Sequence, residues 1–207
     1  MRIAVINEVS AVARNGELVS SLEGRGHEVI NAGMKTADEK PELTYIHTGF
    51  LAALLLNAGR ADFVVGGCGT GQGFLNSVMQ YPGVACGLIS SPVEAWLFAR
   101  INGGNCVSLP LLYGYGWAGD IALRFIFDRL FSAEFGTGYP EHRRESQMTS
   151  RKTLSEISKC AHRPFAEIVD ALPDSVVRPA LSSPRVIDLL KMDSLGDDLK
   201  KAINKRM

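Results

Sequence analysis

Two apolar rhythms alternate along the first 135 residues. Short runs of strand length occur at Ile3–Ile6, His27–Asn31, Asp62–Val65, Val84–Ile89 and Asn105–Leu109. Longer segments with helical patterning separate or follow them: Val12–Glu23, Leu43–Asn57, Leu75–Gln80, Pro92–Ile101 and Ala118–Ala133. Gly24, Gly26, Gly59 and Pro82 supply stops, and Ser91-Pro92 supplies an N-cap followed by proline at the first helical position. Five strands, each followed by a helix and too apolar to face water, predict an α/β fold. Its parallel sheet would be covered by helices on both faces, in three layers. Right-handed crossovers put the loops after the strands on one edge, and ligands bind at the carboxyl ends of such strands. Chemistry is therefore expected just after Ile6, Val65, Ile89 and Leu109.

From Gln147 onward the strand rhythm stops. Polar helical stretches at Lys152–Cys160, Phe165–Leu172, Arg185–Lys191 and Leu199–Asn204 are separated by Pro164, Pro173, Pro179 and Pro184. The expected division is a sheet-bearing domain over residues 1–146 and a helical C-terminal extension over 147–207. The extension would pack on the core or on a neighbouring subunit.

Composition narrows the function classes. The 207 residues carry 22 basic and 22 acidic side chains, so no electrostatic footprint for nucleic acid exists. Lys200, Lys201, Lys205 and Arg206 cluster near the end, but Asp197 and Asp198 dilute them into a solvated helix face. The N-terminal residues show no signal-peptide pattern, and the longest apolar stretch, Phe50–Leu56, is far short of the roughly 20 residues that span a bilayer. A cytoplasmic protein without membrane contact is expected. Cys68, Cys86, Cys106 and Cys160 have no metal-ligand spacing, so no metal is expected, and Cys86 and Cys106 read as packed core thiols.

The run Gly66-Gly67-Cys68-Gly69-Thr70-Gly71-Gln72-Gly73 lies between a strand and a helix. Its glycines fall at every second position, which fails the dinucleotide fingerprint, and no Walker Gly-Lys-Ser/Thr is present. What remains is an oxyanion-binding turn with a cysteine at its mouth, or a glycine-rich structural loop around a buried thiol. In the first case Cys68 is a base. A thiol titrates near ~8.5, and convergent amides lower that value. The thiolate would remove a proton beside a carbonyl, and the amides of Gly69, Gly71 and Gly73 would hold the enediolate. Thr70 would bond a substrate oxygen. No histidine among His27, His47, His142 and His162 is placed by sequence beside Cys68, which disfavours a nucleophilic role. Asn7 and Glu8 follow the first strand at the ligand edge, where they would bind a ligand hydroxyl or else serve as a helix cap or surface polar group.

Cys68-Gly69-Thr70-Gly71-Gln72-Gly73, Pro82-Gly83-Val84 and Ala95…Asn102…Asn105 resemble the ribose-5-phosphate isomerase B / galactose-6-phosphate isomerase family, over about Arg2 to Arg144. The resemblance implies a three-layer flavodoxin-like (Rossmann-like) five-stranded sheet and a homodimer, with a tetramer as the larger alternative. It also implies active sites at the subunit interface and aldose–ketose isomerisation through a cis-enediolate without metal or cofactor. Cys68 matches the family's base. Gln72 stands where members lacking the cysteine carry a glutamate. Thr70 and the glycine amides match the enediolate site, Tyr45 and His47 match pocket-lining residues, and Asn102 matches an asparagine near the reacting end. Arg143 matches an arginine that reaches the substrate's anionic group across the dimer.

Departures bear on the substrate. Glu8 and Val9 replace an Asp-His pair, Ile101 replaces the ring-opening histidine, and Tyr139 replaces one of the paired anion-binding arginines. Ile6-Asn7-Glu8, Leu43-Thr44-Tyr45, Gly114-Tyr115-Gly116-Trp117 and Gly138-Tyr139-Pro140 are similar to a narrower branch, the 4-deoxy-5-hexosulose-uronate ketol-isomerases. Their open-chain substrate carries one carboxylate, which suits a smaller anion site. A small anionic sugar, phosphate or uronate, is therefore expected. The alternative is a non-catalytic sugar-acid sensor on the same fold.

Overall fold

The computed structural model describes residues 1–207 except Ala133. Five strands form one all-parallel sheet: β1 (Arg2–Asn7), β2 (Glu28–Asn31), β3 (Phe63–Cys68), β4 (Cys86–Leu88) and β5 (Cys106–Pro110). The intervening helices are α1 (Asn15–Leu22), α2 (Tyr45–Asn57), α3 (Gln72–Val78), α4 (Pro92–Leu97) and α5 (Gly119–Leu130). The three-layer architecture is as expected. The lateral order is β2-β1-β3-β5-β4, so the last two strands trade places relative to the flavodoxin order 2-1-3-4-5. Connections that step one way across the sheet put α2 and α3 on one face. Those that step back put α1 and α4 on the other, as right-handed crossovers require.

Strand alternation divides the core. Ile3 and Val5 join Leu18, Leu22, Leu123 and Phe127 on the α1/α4/α5 face. Ala4 and Ile6 join Phe50, Leu51, Leu54 and Phe74 on the α2/α3 face. The amino ends of β1 and β3 are clamped by Arg2, whose backbone N–H and guanidinium bond the Asp62 carboxylate at 2.7 and 2.5 Å.

Several boundaries differ from the sequence reading. A 3-10 turn over Val12–Arg14 precedes α1. β3 continues through Gly66 and Gly67 to Cys68 because these glycines let Phe74 and Leu109 close on the strand. α3 starts at Gln72, three residues before the expected start. The predicted capping at Ser91 is present, with Glu94 N–H on Ser91 Oγ at 3.2 Å and Ser91 N–H on the Glu94 carboxylate at 3.1 Å. After Leu97 the helix widens into a π turn, Phe98–Asn102. The expected helix end at Ala133 lies outside the described residues.

Five more helices follow: α6 (Arg144–Ala161), α7 (Phe165–Ala171), α8 (Asp174–Ser182), α9 (Val186–Leu190) and α10 (Asp197–Asn204). α6 runs through residues 146 and 147. Pro179, expected to separate helices, instead sits inside α8. α2 is apolar all round because the sheet covers one side and the C-terminal helices cover the other. Phe50 stacks on Phe165 at 6.2 Å and meets Tyr81 edge-on at 6.0 Å. Arg60, just past α2, donates to Leu190 O at 2.7 Å and Ser194 Oγ at 2.7 Å.

Candidate active site

β1 and β3 are adjacent, and their connections depart in opposite directions, so the crevice beyond their carboxyl ends is the topological switch point. Cys68 is the last residue of β3 at this point. It is 6% exposed and its side chain joins the apolar cluster beneath α2 and α3. The loop that follows is held rigidly. Cys68 O accepts from Leu111 N–H at 3.0 Å, Gly69 O accepts from Leu112 and Tyr113 N–H at 3.0 and 2.9 Å, and Ser108 Oγ donates to Gly71 O. Gly71 has φ +76°, and a Cβ there would lie 2.6 Å from Leu88 Cδ1 and 3.1 Å from the Leu109–Pro110 backbone. Only glycine fits this turn.

The loop's hydrogen-bonding capacity is specific. Gly69 N–H donates to Ser10 Oγ at 3.2 Å, and Gly71 N–H turns back to Cys68 O at 3.3 Å. Two of the three glycine amides expected to face an enediolate thus have partners within the chain. Gly73 lies in the first turn of α3, where amides have no intrahelical acceptor, and the ring of Tyr45 packs against it. Thr70 Oγ1 accepts from Gln72 N–H at 3.3 Å, which leaves the exposed Thr70 hydroxyl hydrogen available as a donor.

Other expected site residues are distributed unevenly. Glu8 is 3% exposed, and its carboxylate accepts from Ser10 Oγ–H. Asn7 is fully buried on the α1 face, where its Nδ2 donates to Asn15 Oδ1 at 2.9 Å and its own Oδ1 has no partner. That is the opposite face of the sheet from Cys68. Tyr45 stands at the start of α2, 43% exposed. His47 has both ring nitrogens engaged: Nδ1 accepts from Thr44 N–H at 2.9 Å in a capping box, and Nε2 donates to Ser175 O at 2.9 Å. Ser10 was not among the residues singled out from sequence. Its place two residues past Glu8, beyond the same strand, was the available signal.

Asn102 and Arg143 are not near Cys68 in the same chain. Asn102 closes the π turn after α4, at the amino edge of the sheet, and is exposed. The segment leading to Arg143 packs on that turn through Gly138 N–H to Arg100 O at 2.7 Å, and α6 does so through Arg151 to Ile101 O at 2.8 Å. Cys68 lies at the carboxyl edge, opposite Pro110 at the end of β5. β5 alone separates the two edges by about 16 Å. Arg143 and Arg144 are exposed, whereas Arg100 and Arg151 bond backbone carbonyls. Tyr139, at the expected arginine position, packs edge-on against Trp96 at 5.0 Å.

Cavities of about 360, 250 and 130 Å³ are not lined by Cys68, although Tyr45 lines the first of them together with Ile46, Asn76 and Val176. Of the aromatic loop after β5, Tyr113 and Trp117 are 76% and 96% exposed. Tyr115 is half-buried, with its hydroxyl on the Glu17 carboxylate and its ring under Arg14. Burial first, then the Glu17 bond, pushes the Tyr115 phenol up. Cys106 is fully buried, and burial, reinforced by the adjacent Cys86 thiol, pushes its thiol up as well. No cluster of three or more metal-ligating side chains occurs among the described residues.

The Ribose/Galactose Isomerase family model matches residues 3–148, which includes the switch-point crevice and both sheet edges. The chain belongs to this family. Family and structural neighbours alike are isomerases, and this isomerase chain has full-length relatives among solved structures. One is a 4-deoxy-L-threo-5-hexosulose-uronate ketol-isomerase complexed with a tartrate, 35% identical, with TM-score 0.95 over 100% of this chain and 99% of that one. Another is a ribose-5-phosphate isomerase from Vibrio parahaemolyticus, 36% identical, with TM-score 0.93 over 100% and 99%. A ribose 5-phosphate isomerase from Thermotoga maritima, 24% identical, covers 72% of this chain and shares the fold at TM-score 0.58. No curated protein sequence matches the chain. Sugar isomerase activity thus follows from the family, and the helical C-terminal region is present in relatives that align along the whole chain.

Proposed function

We propose that this sugar isomerase interconverts an aldose and a ketose through a cis-enediolate, with Cys68 as the carbon base, on an open-chain sugar that carries a carboxylate. The observation that carries the reading is Cys68 at the switch point, directly before a glycine loop with a free-handed Thr70 hydroxyl. Cys68 thiolate takes the proton from the carbon beside the carbonyl. The C–H electron pair forms the C=C bond, and the carbonyl oxygen becomes an oxyanion facing Thr70 O–H and Gly73 N–H. Cys68 then returns its proton to the former carbonyl carbon, while the neighbouring hydroxyl passes its proton to the oxyanion and becomes the new carbonyl, which leaves the thiolate as it began.

We further assign the site to two copies of the chain. Cys68, Thr70, Tyr45 and Gly73 belong to one edge of the sheet, Asn102 and Arg143 to the other. A two-fold pair places each edge against its counterpart. Exposed Leu112, Tyr113 and Trp117 beside the glycine loop support such cover, as does α6, an 18-residue helix that buries none of its residues and exposes Met148, Leu154 and Ile157. Tyr139 and Ile101 in place of a cation and an imidazole favour a singly charged, already open substrate. The 36% identical ribose-5-phosphate isomerase favours a phosphate instead. No helix among the described residues is long and apolar enough to cross a membrane, and the four thiols are unpaired, in keeping with a reducing, cytoplasmic setting.

The deciding assay offers ribose 5-phosphate, galactose 6-phosphate and 4-deoxy-5-hexosulose uronate in deuterated water. Turnover of the uronate with solvent deuterium entering beside the carbonyl is expected. Turnover of a phosphate alone overturns the carboxylate assignment, and turnover of none overturns the aldose–ketose reading for these substrates.

A further inference from the structure

The Ser10 hydroxyl has a nearly complete set of partners, and the one vacancy defines a ligand group. Its hydrogen goes to the Glu8 carboxylate, which is 3% exposed and accepts only. One of its two lone pairs receives Gly69 N–H at 3.2 Å. Ser10 itself is exposed, and a Cβ on Gly69, the residue after Cys68, would lie 3.6 Å from Ser10 Oγ. One lone pair of the exposed Ser10 hydroxyl is therefore left for a ligand donor, next to the residue that follows Cys68, with a buried carboxylate as the acceptor of its hydrogen.

We propose that Ser10 is a specificity residue of the isomerase site, accepting a hydrogen bond from a substrate hydroxyl. Glu8 acts behind it as a positioning residue that fixes the hydroxyl rotor. This deepens the reading of Cys68 as base and rests on it. A carbonyl, carboxylate or phosphate oxygen has no hydrogen to offer Ser10 and meets the field of Glu8, so it is turned away. Thr70, two residues after Cys68 in the same loop, has the reverse arrangement: its Oγ1 accepts from Gln72 N–H and its hydrogen is available. The two hydroxyls of this loop region thus differ in sense. Ser10 takes a substrate O–H and Thr70 gives to a substrate C=O or oxyanion. That asymmetry would fix which of two adjacent substrate oxygens is the hydroxyl and which the carbonyl.

Tartrate and succinate share a four-carbon dicarboxylate frame and differ by two hydroxyls, so their affinities read the hydroxyl contact directly. Isothermal titration of the full chain is expected to show tartrate bound about 5- to 20-fold more tightly than succinate. In Ser10→Ala that preference should fall to within about twofold through loss of tartrate affinity, and Ser10→Thr, which keeps the hydroxyl, should restore it. A wild-type chain that does not distinguish the two acids, or a Ser10→Ala chain that still does, overturns the proposal. Turnover of Cys68→Ala, measured separately, tests the underlying isomerase reading. Full activity in that variant would remove the base while leaving the titration result to stand on its own.

Discussion

Cys68 stands at the end of β3, and no other thiol lies near the glycine loop in sequence or in the sheet. Cys68→Ala should lower kcat by roughly 10²–10⁴-fold, the usual worth of a positioned proton-transfer group, with the melting temperature held within a few degrees. Isomerisation followed by NMR, beside calorimetry of the same sample, checks both. A second single-residue effect concerns stability alone. Hydrogen bonds from Arg2, first through its side chain and then its backbone N–H, hold the Asp62 carboxyl below its ordinary value of 3.8. A depressed carboxyl stabilises the fold above that ordinary value, and the benefit is lost as pH falls through the lower folded value. Both side chains are about 40% exposed, so the contribution is a screened surface one. Asp62→Asn should lower the melting temperature at pH 7 and converge on wild type in melts run progressively below pH 4. A constant gap across that range would mean that the charge is irrelevant. Residue types were the most legible part of the site. Glycine spacing marked the loop between β3 and α3, and the proposed chemistry starts from the cysteine at its mouth. Pairings such as Gly69 to Ser10, or Asn7 to Asn15, depend on loop path and strand face, which no spacing rule encodes.

Helix α8 shows where pattern reading fails at the scale of an element. A proline between helical stretches reads as a break because it has no N–H and its ring meets the carbonyl four residues back. Here the residue four before Pro179 is Ser175, and the carbonyl freed by the proline is the one that takes His47 Nε2–H at 2.9 Å. The same imidazole caps α2 through Nδ1, so one side chain joins α2 to the C-terminal extension. His47→Ala should cost about 1–2 kcal/mol in urea unfolding by losing a cap and leaving Ser175 O without its partner. In that background Pro179→Ala supplies a main-chain N–H to the same carbonyl. The double variant should therefore be more stable than the two single changes predict by about 1 kcal/mol. Additivity would show that the histidine and the proline act independently. The long apolar run of α2 was visible in sequence, but its reason was not: a helix apolar all round needs a second layer, and the polar-looking stretches after Gln147 supply it.

At the scale of the molecule, hydrophobic rhythm specified five strands and their covering helices, although only β1, β3 and β5 are buried and the edge strands β2 and β4 are half-buried or more exposed. It left the lateral order open. The exchange of β4 and β5 is decided by which crossover steps back, and a chain's pattern of apolar positions is the same for either choice. The consequence for function is spatial. α4 starts at the carboxyl edge and delivers Asn102 to the amino edge, so under the proposed two-chain site each chain contributes one half at either end. Two defective chains should then repair each other. Cys68→Ala lacks the base in the half it contributes, and Arg143→Ala lacks the anion contact in the other. In a dimer of one of each, one site receives both defects and the other receives neither. Equal mixing after subunit exchange makes about half of the dimers mixed, with one intact site of two, so activity should recover to about one quarter of wild type from two nearly inactive parents. Size-exclusion chromatography with light scattering shows whether the dimer forms, and the mixing assay shows whether its sites are shared. Recovery no greater than the sum of the parents, in a sample that exchanges subunits, would mean that Arg143 serves the Cys68 of its own chain or none at all.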